Sequence, residues 1–159
     1  MSRIAKLFED RSRKRFIAYI CGMDPDLPTS IDICRALVEA GTDLIEIGVP
    51  FSDPLADGKT NQLAAERALA NGAKVDQVFE MARALRVESQ VPLVLYTYYN
   101  LVMSQGVETY VKKAAEAGID GILTIDLPPE EAADMVQACK KHHIDNIFIV
   151  APTTPEDRI

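Results

Sequence analysis

No stretch of this sequence stays apolar for the roughly 18 residues that a membrane-spanning helix needs, so a transmembrane reading is excluded. The first apolar run, Phe16 to Cys21, passes straight into Met23-Asp24-Pro25 with no small-residue cleavage site, and no secretory signal is expected. Cysteine is scarce. Cys21, Cys34 and Cys139 are odd in number, widely spaced and outside any C-x-x-C, which excludes a disulfide framework and a zinc site. Reduced thiols suit a cytoplasmic protein. Histidine is limited to His142 and His143, which as neighbours face different ways on a helix and make no metal site. With Lys140 and Lys141 they suit a helix carboxyl end, where positive charge complements the dipole.

Positive charge is the minority: 17 Lys+Arg against 24 Asp+Glu give a net −7, which argues against nucleic-acid binding. The basic side chains cluster early. Residues 1–15 sum to +4 and the remaining 144 to −11, and the run Arg11, Arg13, Lys14, Arg15 reads as a solvated helix end. Neither a G-x-G-x-x-G nor a P-loop follows the first apolar run, where a nucleotide-binding fold carries it.

What the 159 residues do contain, at 48% apolar, is one domain's worth of alternating segments. Strand-like apolar runs start near Phe16, Leu44, Leu93, Ile122 and Ile147. Between them lie helical patterns at Thr29–Ala40, Thr60–Asn71, Val75–Val87, Val107–Ala117 and Glu130–Lys141. The spacing, about 33 residues per step, is that of a βαβ unit. Apolar residues on both strand faces fit a parallel sheet covered by helices.

An internal echo supports repetition. Glu39-Ala40-Gly41-Thr42-Asp43-Leu44-Ile45 recurs 77 residues later as Glu116-Ala117-Gly118-Ile119-Asp120-Gly121-Ile122, each copy ending a helix on a left-handed glycine before a strand. A short amino-terminal helix carries Ile4, Leu7 and Phe8 on one stripe, fit to plug a barrel floor or to cover a sheet edge. Thr153-Thr154-Pro155-Glu156-Asp157 reads as the start of another helix, with a Thr cap, early proline and acids at the dipole's positive end. The expected fold is therefore α/β: about the first five βα units of a (β/α)8 TIM barrel, which takes about 250 residues. Residues 1–159 form one partial-barrel domain in this reading, cut at the helix after strand five. An open doubly wound sheet, complete at five strands, is the alternative.

Chemistry is expected at the carboxyl ends of the strands. In Leu44-Ile45-Glu46-Ile47-Gly48-Val49, alternation puts Ile45, Ile47 and Val49 toward the helices and Glu46 toward the interior. Burial raises a carboxyl pKa, and a glutamate poised nearer neutrality suits a general acid/base. A structural Glu satisfied by a lysine, arginine or backbone donor fits the pattern equally. The following loop, Pro50 to Gly58, is restricted by prolines at 50 and 54, so Asp57 can be presented to the same cavity from a movable loop. Asp53, between Ser52 and Pro54, reads as a turn hydrogen-bonder. The same parity turns Tyr19, Cys21, Tyr96, Tyr98, Leu123, Ile125, Ile147 and Ile149 inward, as barrel filling or as the lining for a flat apolar group. Asp126, ending strand four, is a candidate to support the site residues from behind or to cap a helix start at Pro128–Glu130. Cys34 and Cys139 read as small core residues.

The run from Glu46 to Gly58, Glu46-Ile47-Gly48-Val49-Pro50-Phe51-Ser52-Asp53-Pro54-Leu55-Ala56-Asp57-Gly58, resembles the signature of the tryptophan synthase alpha chain family. The resemblance continues at Tyr98-Tyr99-Asn100 and Asp126-Leu127-Pro128-Pro129-Glu130-Glu131, and covers essentially all 159 residues as the amino-terminal part of that family's barrel. It implies a lyase that cleaves indole-3-glycerol phosphate to indole and glyceraldehyde 3-phosphate with no cofactor or metal. In that family's pattern Glu46 is the acid/base at the indole ring carbon and the glycerol hydroxyl. Asp57 stabilises charge on the ring nitrogen. Tyr19, Tyr96, Leu123 and Ile149 line the indole pocket.

The implied partner is the beta chain, in an alpha2beta2 assembly at full family length. The loop carrying Asp53, Pro54 and Asp57, the Asn100 loop and the Asp126–Pro129 loop with Pro128 are the implied docking surface. Three positions depart from the family: Lys59 and Asn61 stand where proline and an aliphatic residue are usual, and Met23 where glycine precedes Asp-Pro. The phosphate site of such barrels is built after strands seven and eight, so the isolated chain is expected to be inactive. Two alternatives stay open: a non-catalytic piece that binds a beta chain or another half-barrel, and a different barrel enzyme acting on another phosphorylated substrate.

Overall fold

A computed structural model describes all residues from Met1 to Ile159. Five parallel strands, β1 (Ile17–Cys21), β2 (Leu44–Gly48), β3 (Leu93–Thr97), β4 (Gly121–Thr124) and β5 (Asp145–Ile147), lie side by side in chain order. Seven helices accompany them: α1 (Arg3–Leu7), α2 (Leu27–Glu39), α3 (Lys59–Ala70), α4 (Val75–Glu88), α5 (Tyr99–Gln105), α6 (Val107–Glu116) and α7 (Ala133–Lys141). No helix is long and apolar enough to cross a membrane.

The register places Tyr19 beside Glu46, Gly48 beside Tyr96 and Tyr96 beside Leu123, so one face of the sheet is continuous across four strands. The opposite face carries Ile45, Ile47, Leu93, Leu95 and Ile122. These residues are fully buried against Phe79 and Met81 of α4, Tyr110 of α6 and Met135 of α7. That layer is the main core, and removing its apolar surface from water is the dominant stabilising term. Cys34 and Cys139 are buried in it, their thiols pushed up to about 12 by burial.

The inner face has a smaller core of Leu44, Val94 and Leu123, on which Ile4 and Leu7 pack. Helix α1 thus closes the floor rather than an edge. A Cβ on Gly121 would lie 2.8 Å from Ile4 Cδ1, so glycine at the first position of β4 lets the plug side chain sit close against the strand.

The two echoed segments end their helices alike. Gly41 and Gly118 have φ of +90° and +82°, and the next residue's amide reaches back five residues, Thr42 to Leu37 and Ile119 to Ala114. The pattern is a Schellman cap. The same bond, Ile144 to Cys139, closes α7 with His143 at φ +58° in the glycine position. His142 bonds Glu108 at 2.7 Å.

Several expectations shift. The basic run belongs to no helix: α1 ends at Leu7, and Arg13 and Arg15 instead pair with Asp43 ahead of β2. Strand five begins at Asp145, two residues before the apolar run, because pairing to Gly121 starts there. Phe148, Ile149 and Val150 lie beyond it and are exposed. The Thr153–Asp157 segment forms a single 3-10 turn, Glu156–Arg158, with Pro155 rather than a threonine as its cap.

Candidate active site

The carboxyl ends of the strands bring an acidic pair and three tyrosines together. Glu46 is half-buried on the inner face, between Tyr19 of β1 and Val94 of β3. No cation or hydrogen-bond donor stabilises its carboxylate. Burial alone pushes its pKa above the usual carboxylate range. The structural reading, in which a permanent cation or backbone donor satisfies Glu46, finds no such partner.

Two residues on, Gly48 leaves room for Tyr19. A Cβ there would stand 2.2 Å from the Tyr19 hydroxyl and 2.7 Å from Cζ, so the ring lies directly over the glycine. Tyr19 meets Tyr96 edge to face, with centroids 5.2 Å apart. Burial raises both phenols, with Asp57 adding to it, and Tyr96 is pushed up to about 12.

The loop after β2 is tightly tied. Asp57 N–H donates to the Pro54 carbonyl at 3.0 Å, and Gln62 of α3 donates to the Asp57 carbonyl at 2.9 Å. Its side chain is held as well as its backbone. Its Oδ2 accepts from the Tyr98 hydroxyl at 2.7 Å, and Tyr96 approaches Oδ1 to 3.4 Å. Tyr98 also accepts the Ala56 N–H at 3.0 Å, so one buried hydroxyl holds two consecutive loop residues. The Asp53 carboxylate accepts only the Ser52 hydroxyl and no backbone amide, so its side chain makes no turn hydrogen bond.

The sequence pattern gives Tyr98 only as an inward-facing filling or lining residue. Its parity with Tyr96 places it inward, but only the folded loop shows what its hydroxyl holds. Asp126, the candidate cap, serves a different helix. It caps not the Pro128–Glu130 turn but α5, accepting the Tyr99 N–H at 2.7 Å.

Leu123 lies on the inner face beside Tyr96, whereas Ile149 sits past the end of β5, exposed. Ile149 lines a cavity of about 260 Å³ with Ile125, Asp126, Pro128 and Arg158. Pro54, Asn100 and Pro128 follow β2, β3 and β4 at the same end of the sheet, and Leu55, next to Pro54, is exposed. Lys59 and Asn61 fall in the first turn of α3. Met23 is buried in the core with φ +67°, the left-handed region in which glycine is at ease.

Five parallel strands in chain order, helices outside, a plugged floor and an acidic pair at the carboxyl face define a partial (β/α)8 barrel. The chain belongs to the tryptophan synthase alpha chain family, whose model matches residues 5–159. It is 54% identical over 162 residues to the tryptophan synthase alpha chain of Opitutus terrae, covering all of this chain and 61% of that one. Its identity to the Geobacter sulfurreducens protein is 46%, with the same coverage. Among solved structures, tryptophan synthase subunit alpha from Legionella pneumophila superposes with a TM-score of 0.95 at 37% identity, over 99% of this chain and 62% of that one. A chain of the Pyrococcus furiosus tryptophan synthase complex gives 0.88 at 40% identity, over 91% and 59%. The chain thus spans about three-fifths of the length of the relatives it matches.

Proposed function

We propose that this chain carries the acid/base half of an indole-3-glycerol phosphate lyase. The observation that bears most weight is the unpartnered, half-buried Glu46 on the same face as a clamped Asp57. A neutral carboxyl at Glu46 protonates the indole ring carbon that bears the glycerol side chain. The positive charge this creates on the ring nitrogen is opposed by the Asp57 carboxylate, whose placement avoids reorganisation during the step. Glu46, now ionised, takes the proton of the adjacent glycerol hydroxyl. The carbon–carbon bond breaks, its electrons restore the aromatic ring, and glyceraldehyde 3-phosphate leaves as the aldehyde. The proton count closes: Glu46 gives one and recovers one.

Tyr19, Tyr96, Leu123 and Ile149 line the indole side in this reading. The inner face supplies aromatic and aliphatic surface for a flat ring, with its polar groups gathered at one end. No cofactor or metal enters the scheme. Asp53, Pro54, Asn100 and Pro128 form the docking face for a beta chain, supported by their common position at the strand ends and by exposed Leu55. The cytoplasm is the matching compartment, in keeping with three free cysteines.

The test is indole release by an alpha chain of full family length carrying this sequence, beside its Glu46→Gln variant. Loss of the general acid should lower kcat by about 10²–10⁴-fold. A variant within about tenfold of the parent, a difference of about 1.4 kcal/mol, would remove Glu46 from the role.

One observation favours a second reading, in which the 159-residue chain binds a beta chain or another half-barrel without catalysis. Both outer strands, β1 and β5, have one unpaired edge flanked by exposed Phe16, Ile17, Phe148, Ile149 and Val150. Unpaired edges of this kind recruit strands. An inactive monomer on size-exclusion chromatography, indifferent to added beta chain, would count against it.

A further inference from the structure

Helix α5 is only seven residues long and begins without a side-chain cap of its own, because Tyr98 occupies the cap position. So short a helix is marginal by itself, its first amides lacking partners inside it. Asp126, 27 residues further along on the loop after β4, supplies one by accepting the Tyr99 N–H at 2.7 Å. Tyr98 immediately precedes the anchored amide, so the direction of its ring depends on where that first turn is held. The ring is buried and packs on Phe51 with centroids 4.9 Å apart. Its hydroxyl has one proton, committed to Asp57 Oδ2, and accepts the Ala56 N–H. Asp57 Oδ1 is left with only a long 3.4 Å approach from Tyr96.

We infer that Asp126 is a positioning residue for Asp57, acting through the first turn of α5 and the Tyr98 ring. Asp126 does not touch Asp57. It fixes the backbone from which the hydroxyl reaches the carboxylate, and so decides which carboxylate oxygen stays available. The functional part of this inference rests on the proposed role of Asp57; the linkage does not.

Amide hydrogen exchange on the 159-residue chain tests the linkage without activity. The reporter is the Ala56 amide, with the strand amides of Ile47 and Leu95 as internal references. Tyr98→Phe and Asp126→Ala should each lower Ala56 protection by about tenfold, the scale of one hydrogen bond, while the references stay unchanged. Asp126→Asn, which keeps an oxygen acceptor, should restore it. Unchanged Ala56 protection in Asp126→Ala overturns the inference. So does a loss seen only together with Ile47 and Leu95, which would be general loosening. In an alpha chain of full family length, Asp126→Ala should reduce kcat about tenfold with KM within about twofold, and Asp126→Asn should recover it. An intact linkage with unchanged kcat would overturn the role assigned to Asp57 and leave the linkage standing.

Discussion

The Tyr19 ring stands over Gly48 so closely that any side chain on the glycine would begin inside the phenol, 2.2 Å from its oxygen. The two residues lie on neighbouring strands with Gly48 opposite Cys21, so the ring leans along the strand direction to reach it. Gly48→Ala should therefore cost about 1–3 kcal/mol by overpacking, and should displace the ring from Tyr96. Urea unfolding of Gly48→Ala, Tyr19→Leu and the double variant checks this. The double variant should lose less than the sum of the singles. Additive losses would mean the ring does not depend on the glycine.

Glu46 places a cost on the fold that depends on pH. Its folded-state pKa is raised by burial, so the folded chain holds the proton more tightly than the unfolded one. Stability tied to this group is fully present below the ordinary glutamate pKa of about 4.3 and is lost as pH rises through the folded value. Glu46→Gln should accordingly raise Tm at pH 7, with the advantage shrinking toward zero below about pH 4. Thermal melts at both pH values decide it. An equal advantage at pH 3 and pH 7 would show that packing, not charge, is responsible.

Asp120 holds the floor of the sheet. It accepts from Arg3 at 2.8 Å, Arg86 at 2.9 Å and the Leu93 amide at 2.9 Å, while Arg86 also binds the carbonyls of Gly118, Ser89 and Val91. Asp120→Asn leaves Arg86, mostly buried, without its anion, and should cost about 3 kcal/mol. A lowered urea midpoint at unchanged m is the expected signature. A loss under about 1 kcal/mol would assign the floor to α1 packing instead.

Two residues sit in the left-handed region for opposite reasons. His143 is exposed at the end of α7, so His143→Gly should relieve about 1 kcal/mol of backbone strain and stabilise the chain. Met23 has the same conformation but a buried side chain, 5% exposed, packed in the main core. Met23→Gly gains a similar relief and loses about 2–5 kcal/mol of packing, for a net destabilisation. Parallel denaturant titrations should give shifts of opposite sign. Two shifts of the same sign would refute the account.

Much of this arrangement is legible without coordinates. Apolar runs broken by amphipathic ones placed β1 to β4 and most of the outer helices within a residue or two, because period fixes which face is buried; α7 starts three residues later than its pattern, after a separate 3-10 turn at Pro129–Glu131. The parity of Leu44-Ile45-Glu46-Ile47-Gly48 already turned Glu46 inward. Helix α5 escaped because its cap comes from Asp126, far along the chain, rather than from a neighbouring side chain. Ile149 was grouped with β5 by its apolar neighbours, although pairing ends at Ile147.

The linear chain by itself determined the alternation of elements, the glycine caps of the two echoed helices, the family and the inward aim of Glu46, since all of these follow from local spacing and residue type. Tertiary structure alone decided that Glu46 has no ionic partner, that Asp57 is gripped rather than free, and that α1 plugs the floor. Each of those depends on which side chains meet across more than 20 residues of sequence, and such meetings are set by packing, which no local pattern encodes.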